Sequence, residues 1–162
     1  MRVSIFVCLL TCLFFSLSAQ RKRKRDARED LPPKALTLRM ETLIIEGSRL
    51  LIIGNYPASR ATFEQANQLE PNNAVVYFKL AELEMIFNKS EAALIRISQA
   101  MALDPENKFY LIFKGDILSS LNRYADLVEV YTKLLDLPGN EQYYFDLGAL
   151  YQFQKEWDEA LE

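Results

Sequence analysis

The chain has 162 residues, of which 50% are hydrophobic and 25% charged, and it contains no histidine. That length suits one domain or a short repeat array. Without imidazole there is no histidine-dependent serine or cysteine nucleophile and no histidine-ligated metal site. No Gly-rich phosphate loop or metal-ligand cluster appears, so no cofactor is expected and no enzyme is read from these residues.

Residues 1–19 place a single cation, Arg2, before an apolar block (Ile5–Leu10 and Leu13–Leu17) that ends at Ser18-Ala19. This is the composition of a secretory signal peptide, and the block is shorter than the ~20 apolar residues of a spanning helix. Cleavage after Ala19 would remove both cysteines, Cys8 and Cys12. The leader ending, Ser-Leu-Ser-Ala-Gln, resembles those of bacterial envelope proteins, so export to the periplasm or envelope is expected. The rival is an uncleaved membrane anchor, because Arg21-Lys22-Arg23-Lys24-Arg25 follows directly and cations resist translocation.

Residues 20–32 read as a solvated basic linker, whose cations Arg21–Arg25 could make weak contact with an anionic surface. Beyond it the charge reverses. Residues 31–162 hold twelve Lys and Arg against nineteen Asp and Glu, an acidic body that repels phosphate backbones. Nucleic acid is therefore excluded as a partner.

From residue 33 onward a period emerges. Pro71 and Pro105 stand 34 positions apart and close the similar phrases Asn67-Gln68-Leu69-Glu70-Pro71 and Met101-Ala102-Leu103-Asp104-Pro105. Counting from them gives repeats at 40–73, 74–107, 108–140 and an incomplete 141–162. Each reads as two amphipathic helices joined by a tight turn, with the turn at Gly54, Asn88, Asn122 and Lys155. Pro32-Pro33 suits a helix start, and the first helix is predicted from about Pro33 to Ile53. Small residues recur where paired helices should press together: Gly47, Ala81, Gly115 and Gly148, facing Ser59, Ala93 and Ala160. Leu127 interrupts that series and is expected to push its helix outward. No polar cap follows the fourth repeat, so the sequence is expected to belong to a longer protein.

With these spaced positions in place, the chain resembles a tetratricopeptide repeat (TPR) protein over residues 40–162. The first repeat carries the likeness best, through Gly47, Gly54, Tyr56, Phe63, Ala66, Leu69 and Pro71; the fourth matches through Tyr144, Leu147, Gly148, Tyr151, Trp157 and Ala160. The resemblance implies an all-α solenoid of antiparallel helix pairs wound into a right-handed superhelix, with the first helix of each pair lining a groove. It places in that groove Glu41, Ile44, Ile45, Ser48, Leu51 and Ile52, then Val75, Phe78, Lys79, Glu82, Met85 and Ile86. The third repeat contributes Phe109, Ile112, Phe113, Asp116, Ser119 and Ser120, and the fourth Gln142, Phe145, Asp146, Ala149, Gln152 and Phe153.

The candidate partner site is drawn from these as Ile44, Ser48, Phe78, Lys79, Glu82, Ile112, Phe113, Asp116, Phe145 and Asp146. Lys79 is the lone cation of the set, so the family's clamp for a partner's C-terminal carboxylate is not carried over. An apolar groove fringed by Glu41, Glu82, Asp116 and Asp146 suits an apolar or amphipathic protein segment with basic flanks. The function expected is an exported interaction scaffold. The alternative is the N-terminal TPR arm of a longer enzyme or signalling protein whose active domain lies beyond residue 162. About a third of the groove positions are expected to be exposed, the rest joining the core between repeats.

Three smaller features are read as structural. Glu82/Glu84 look like a solvated face. Lys114, at a normally apolar position, is expected to reach water along its stem. Asn88-Lys89-Ser90 is read as a turn with Ser90 capping the next helix.

Overall fold

The computed structural model describes residues 32–161 except 138 and 140, with the side chains of residues 154–161 also outside the description. The leader and basic linker read from the sequence thus lie outside the described residues. The chain divides into two compact units between Leu43 and Ile44. All described regular structure is helical: α1 (Pro33–Ile52), α2 (Tyr56–Leu69), α3 (Ala74–Ile86), α4 (Ser90–Leu103), α5 (Lys108–Ser120), α6 (Tyr124–Leu135) and α7 (Tyr143–Leu161).

The described part of the first unit is the opening of α1. Pro33 is its first residue, as the double proline predicts, and the Thr37 and Thr42 hydroxyls donate to the Pro33 and Leu38 carbonyls. No described helix is long and apolar enough to cross a membrane.

In the second unit each helix from α2 onward packs on the next in sequence, the arrangement of a solenoid of helix pairs. The turns inside the pairs form as the spacing requires: Gly54, Asn88 and Asn122 have φ of 77°, 57° and 55°, the left-handed region that Gly and Asn tolerate best. Between pairs, α2 and α4 stop at Leu69 and Leu103, two residues before Pro71 and Pro105. The following helices are then capped by asparagine. Asn73 Oδ1 accepts from the Val76 amide at 3.2 Å and Asn107 Oδ1 from the Phe109 amide at 3.2 Å. These two caps share the 34-residue spacing of the prolines.

The small residues act unequally. A Cβ on Gly47 would lie 2.8 Å from the Phe63 ring, and the buried Ser59 hydroxyl donates to the Gly47 carbonyl at 2.8 Å. Here the two backbones close on each other. Ala81 and Ala93 sit fully buried in one core cluster with Ile97, Ala100, Tyr110 and Ile117. In the third pair, Leu127 is buried and its Cδ1 lies 3.5 Å from where a Gly115 Cβ would be. The glycine makes the room that Leu127 fills. A second cluster joins Leu127 to Leu118, Val130 and Leu134.

The fourth repeat departs from expectation. No turn forms at Lys155, because α7 continues through it to Leu161. Lysine, unlike Gly or Asn, favours the helix interior and meets a steric penalty in the left-handed turn. Gly148, expected at a close helix contact, is exposed, and a Cβ added there would find nothing within 4 Å. With α7 unbroken, no second helix of that repeat folds back on it among the described residues.

Glu84 corrects another expectation. It is only 4% exposed, and Arg60 of the preceding repeat reaches it with Nη2 2.6 Å from Oε1. Arg60 also bonds Glu64 at 3.0 Å, and its guanidinium lies 5.8 Å from the Phe87 ring centroid. Arg60 is held in its charged form, chiefly by the hydrogen bond to Glu64, with Glu84 adding to it against the cost of burial. The position is thus filled by an ion pair bridging two repeats, not by a solvated carboxylate.

Candidate functional site

The first helices α3, α5 and α7 form one wall of the second unit. Phe78 of α3 packs against Tyr110 and Phe113 of α5, with ring centroids 5.1 and 5.3 Å apart. Ile112 of α5, with Tyr143 and Leu150 of α7, packs onto the cluster around Leu118. The wall is therefore continuous, and its inner side is core.

Its outer side is apolar and open. Phe109 is 65% exposed and Phe145 84%, with Val75 and Ile86 also exposed, whereas the Phe153 ring packs edge-on against Tyr124 of α6 at 5.1 Å. Ile45 and Ile52 of α1 are exposed large hydrophobics as well. None of the groove positions named from sequence is buried and most are exposed, so the expected third was too low. Regular helix pairing consumes only one stripe of each first helix here, leaving the opposite stripe uncovered.

The ten singled-out residues separate by depth. Ile44, Ser48, Phe78, Lys79, Glu82, Ile112 and Phe113 are half-buried, while Asp116, Phe145 and Asp146 are exposed. Phe78 and Phe113 pack against the core cluster that contains Ala81 and Ile97. They support the wall more than they present it. Phe109, left out of that set, is far more open, and helical period alone gives no measure of such depth differences.

The charges also sort. Lys79 Nζ lies 2.7 Å from Glu82 Oε2 and 5.2 Å from the Phe78 ring centroid. That lysine is neutralised within its own helix. Lys108, at the start of α5, lies 5.7 Å from the Phe109 ring centroid. Lys114 is half-buried, and its charge helps hold the Glu129 carboxylate in its ionised form after the stronger effect of Lys133. Its charge thus acts toward the α6 side.

Asp116 and Asp146 have no ion-pair partner among the described residues. The surrounding protein raises the Asp116 pKa by desolvating its carboxylate, although the residue as a whole is exposed. Tyr131 of α6 lies behind both. Its ring meets Gly115, 3.6 Å from where a Cβ would stand, and stacks on Tyr143 at 5.3 Å. Its pKa is raised first by burial and then by the charges of Asp146 and Asp116.

Away from the wall, Asn88, Lys89, Ser90, Glu91, Ala92 and Leu121 line an open pocket at the turn of the second pair. Ser90 is the first residue of α4 rather than its cap: Lys89 occupies that position without a side-chain bond, and the Ser90 hydroxyl accepts from Ser120 at 2.9 Å. Among the described residues, no group of three His, Cys, Asp or Glu is placed to hold a metal ion.

No protein-family model matches the chain. A TPR repeat-containing protein of Methanocaldococcus jannaschii is 26% identical over 107 residues, covering 65% of this chain but 19% of that relative's length. The first TPR domain of Spaghetti (RPAP3), solved bound to an HSP90 peptide, superposes with a TM-score of 0.65 at 18% identity, covering 73% of this chain and 94% of the other. The Yersinia enterocolitica type III secretion chaperone SycD, in complex with a peptide of the translocator YopD, gives 0.64 at 13% identity, covering 70% and 93%. Helix pairs closed by Gly or Asn turns, a shared period and these superpositions agree: the chain has the fold of tetratricopeptide-repeat proteins.

Proposed function

We propose that the repeats form a protein-interaction scaffold that holds a segment of a partner against the wall of α3, α5 and α7, and that they carry out no chemistry of their own. The observation that carries this reading is the exposure of the large hydrophobics Val75, Phe109 and Phe145, on helices whose opposite sides are already packed. Large apolar side chains left open on successive helices of one wall mark an interaction site more often than they stand uncovered. The two structural neighbours with peptides bound support the same reading by analogy of fold.

The contact expected is apolar, with no clamp for a terminal carboxylate, since Lys79 is committed to Glu82. Export by a cleaved leader is part of the proposal and rests on the composition of residues 1–19. Mass spectrometry of the native protein tests it: recovery of intact Cys8 would refute cleavage.

The scaffold itself is tested by affinity capture with residues 20–162 as bait. Phe109→Asp with Phe145→Asp should abolish capture while the helical circular dichroism stays unchanged. These two are preferred over Phe78 and Phe113, whose rings are tied to the core. Capture that survives the double change would place the binding surface elsewhere.

A further inference from the structure

We infer that the wall is built for a cationic amphipathic segment, whose apolar side lies on Phe109 and Phe145 and whose Arg or Lys seats at Asp116 and Asp146. This rests on the scaffold reading and adds to it the chemistry and the polarity of the occupant.

Charge complementarity along an apolar surface selects the occupant and orients it. Four acids fringe the groove positions in the sequence, but they are not equivalent in the fold. Glu82 is matched by Lys79 at 2.7 Å, and Glu41 belongs to the other compact unit. Asp116 and Asp146 remain without a cation among the described residues. Lys114 precedes Asp116 by two positions, which sets it about 200° around the helix, and its charge acts on Glu129 of α6. Lys108 stands eight positions before Asp116, about 12 Å of helix rise away.

Both aspartates stand within electrostatic reach of Tyr131, on which the charge of each acts. Asp116 follows Gly115, which meets the Tyr131 ring, and Asp146 shares a face of α7 with Tyr143, which stacks on that ring. Phe145, beside Asp146, is the most exposed aromatic of the described wall. A guanidinium or ammonium at this point would meet two carboxylates and aromatic surface together, a setting that favours a cation. The partner's positive charge is thus set at the α5–α7 end, with the α3 end reading only apolar shape. The acidic excess of residues 31–162 would draw such a segment in but would not fix where its charge lands.

The test uses two fluorescein-labelled amphipathic peptides of about twelve residues, helical in design, with leucine on one face. One carries arginine on the flank of that face, and the other carries neutral citrulline at the same positions. Fluorescence anisotropy with the whole chain should give an affinity about five- to tenfold higher for the arginine peptide, the worth of two partly exposed charge pairs. Asp116→Asn with Asp146→Asn should erase that preference, leaving citrulline binding unchanged. The control Glu91→Gln with Glu106→Gln removes two exposed carboxylates elsewhere and should keep it. Equal affinity of both peptides for the unaltered protein, or equal loss of preference in the control, overturns the inference. If Phe145→Ala still weakens both peptides in that case, the scaffold reading survives alone. Binding of neither peptide overturns both.

Discussion

The ion pair between Arg60 and Glu84 offers the sharpest quantitative test of how these repeats are joined. The two partners differ in depth: the Glu84 side chain is 6% exposed and that of Arg60 30%. They also differ in what remains when the other is lost. Arg60→Met keeps most of the stem volume but leaves a buried carboxylate without its charge partner, a loss of about 3 kcal/mol. Glu84→Met removes the buried charge itself, while Arg60 keeps Glu64 at 3.0 Å and the Phe87 ring. That change should cost within about 1 kcal/mol, because methionine fills the site without desolvating a charge. The difference of about 2 kcal/mol corresponds to roughly 1 M in urea midpoint at ordinary m-values. Urea titration followed by circular dichroism should therefore rank the midpoints as unaltered protein, Glu84→Met close below it, then Arg60→Met well below. The double variant should lie near Glu84→Met alone, since the orphaned charge is gone. Equal shifts for the two single variants, or an additive double variant, would refute the claim that burial of Glu84 governs the cost.

Gly47→Ala should lower thermal stability, because its Cβ would press on Phe63 at 2.8 Å and overpacking of about 1–3 kcal/mol exceeds the ~1 kcal/mol gained in helix propensity. The same change at Gly148 meets nothing within 4 Å and should stabilise α7 by up to about 1 kcal/mol, measured as a rise in melting temperature. At the second turn, Asn88→Val should cost about 1–2 kcal/mol through its φ of 57° while Asn88→Gly stays near neutral, as a pair of melting curves would reveal. Finally, Asp116 has a folded-state pKa raised by desolvation, so the native state holds its proton longer than the unfolded chain. Its ionisation therefore costs stability as pH rises from the unfolded value through the folded one, and that penalty is absent below both. Asp116→Asn should be more stable than the unaltered protein at neutral pH, with the gain vanishing in acid; a pH-independent difference would refute the assignment.

Local rules carried most of the fold. Prolines 34 residues apart, Gly or Asn at the turns and three-and-four spacing of apolar residues are each sufficient to place a helix end or a buried stripe, because they act through a few neighbouring φ/ψ angles. Hence α1 through α6 stand where the period puts them. Where a local signal was weak, as at Lys155, the chain simply continued its helix. The groove positions were equally legible as a stripe, but their depth was not. Whether Phe78 belongs to the core and Phe109 to the surface depends on how far the next repeat reaches over each ring, which periodicity does not encode. The same holds for charge. Glu84 reads like any helix-surface acid until Arg60, 24 positions away, closes over it, and Glu82 and Asp116 look alike until Lys79 is found on only one of them. Sequence determined which residues share a face; only the packing of one repeat on the next decided which of them are covered, which are paired, and which remain open to a partner.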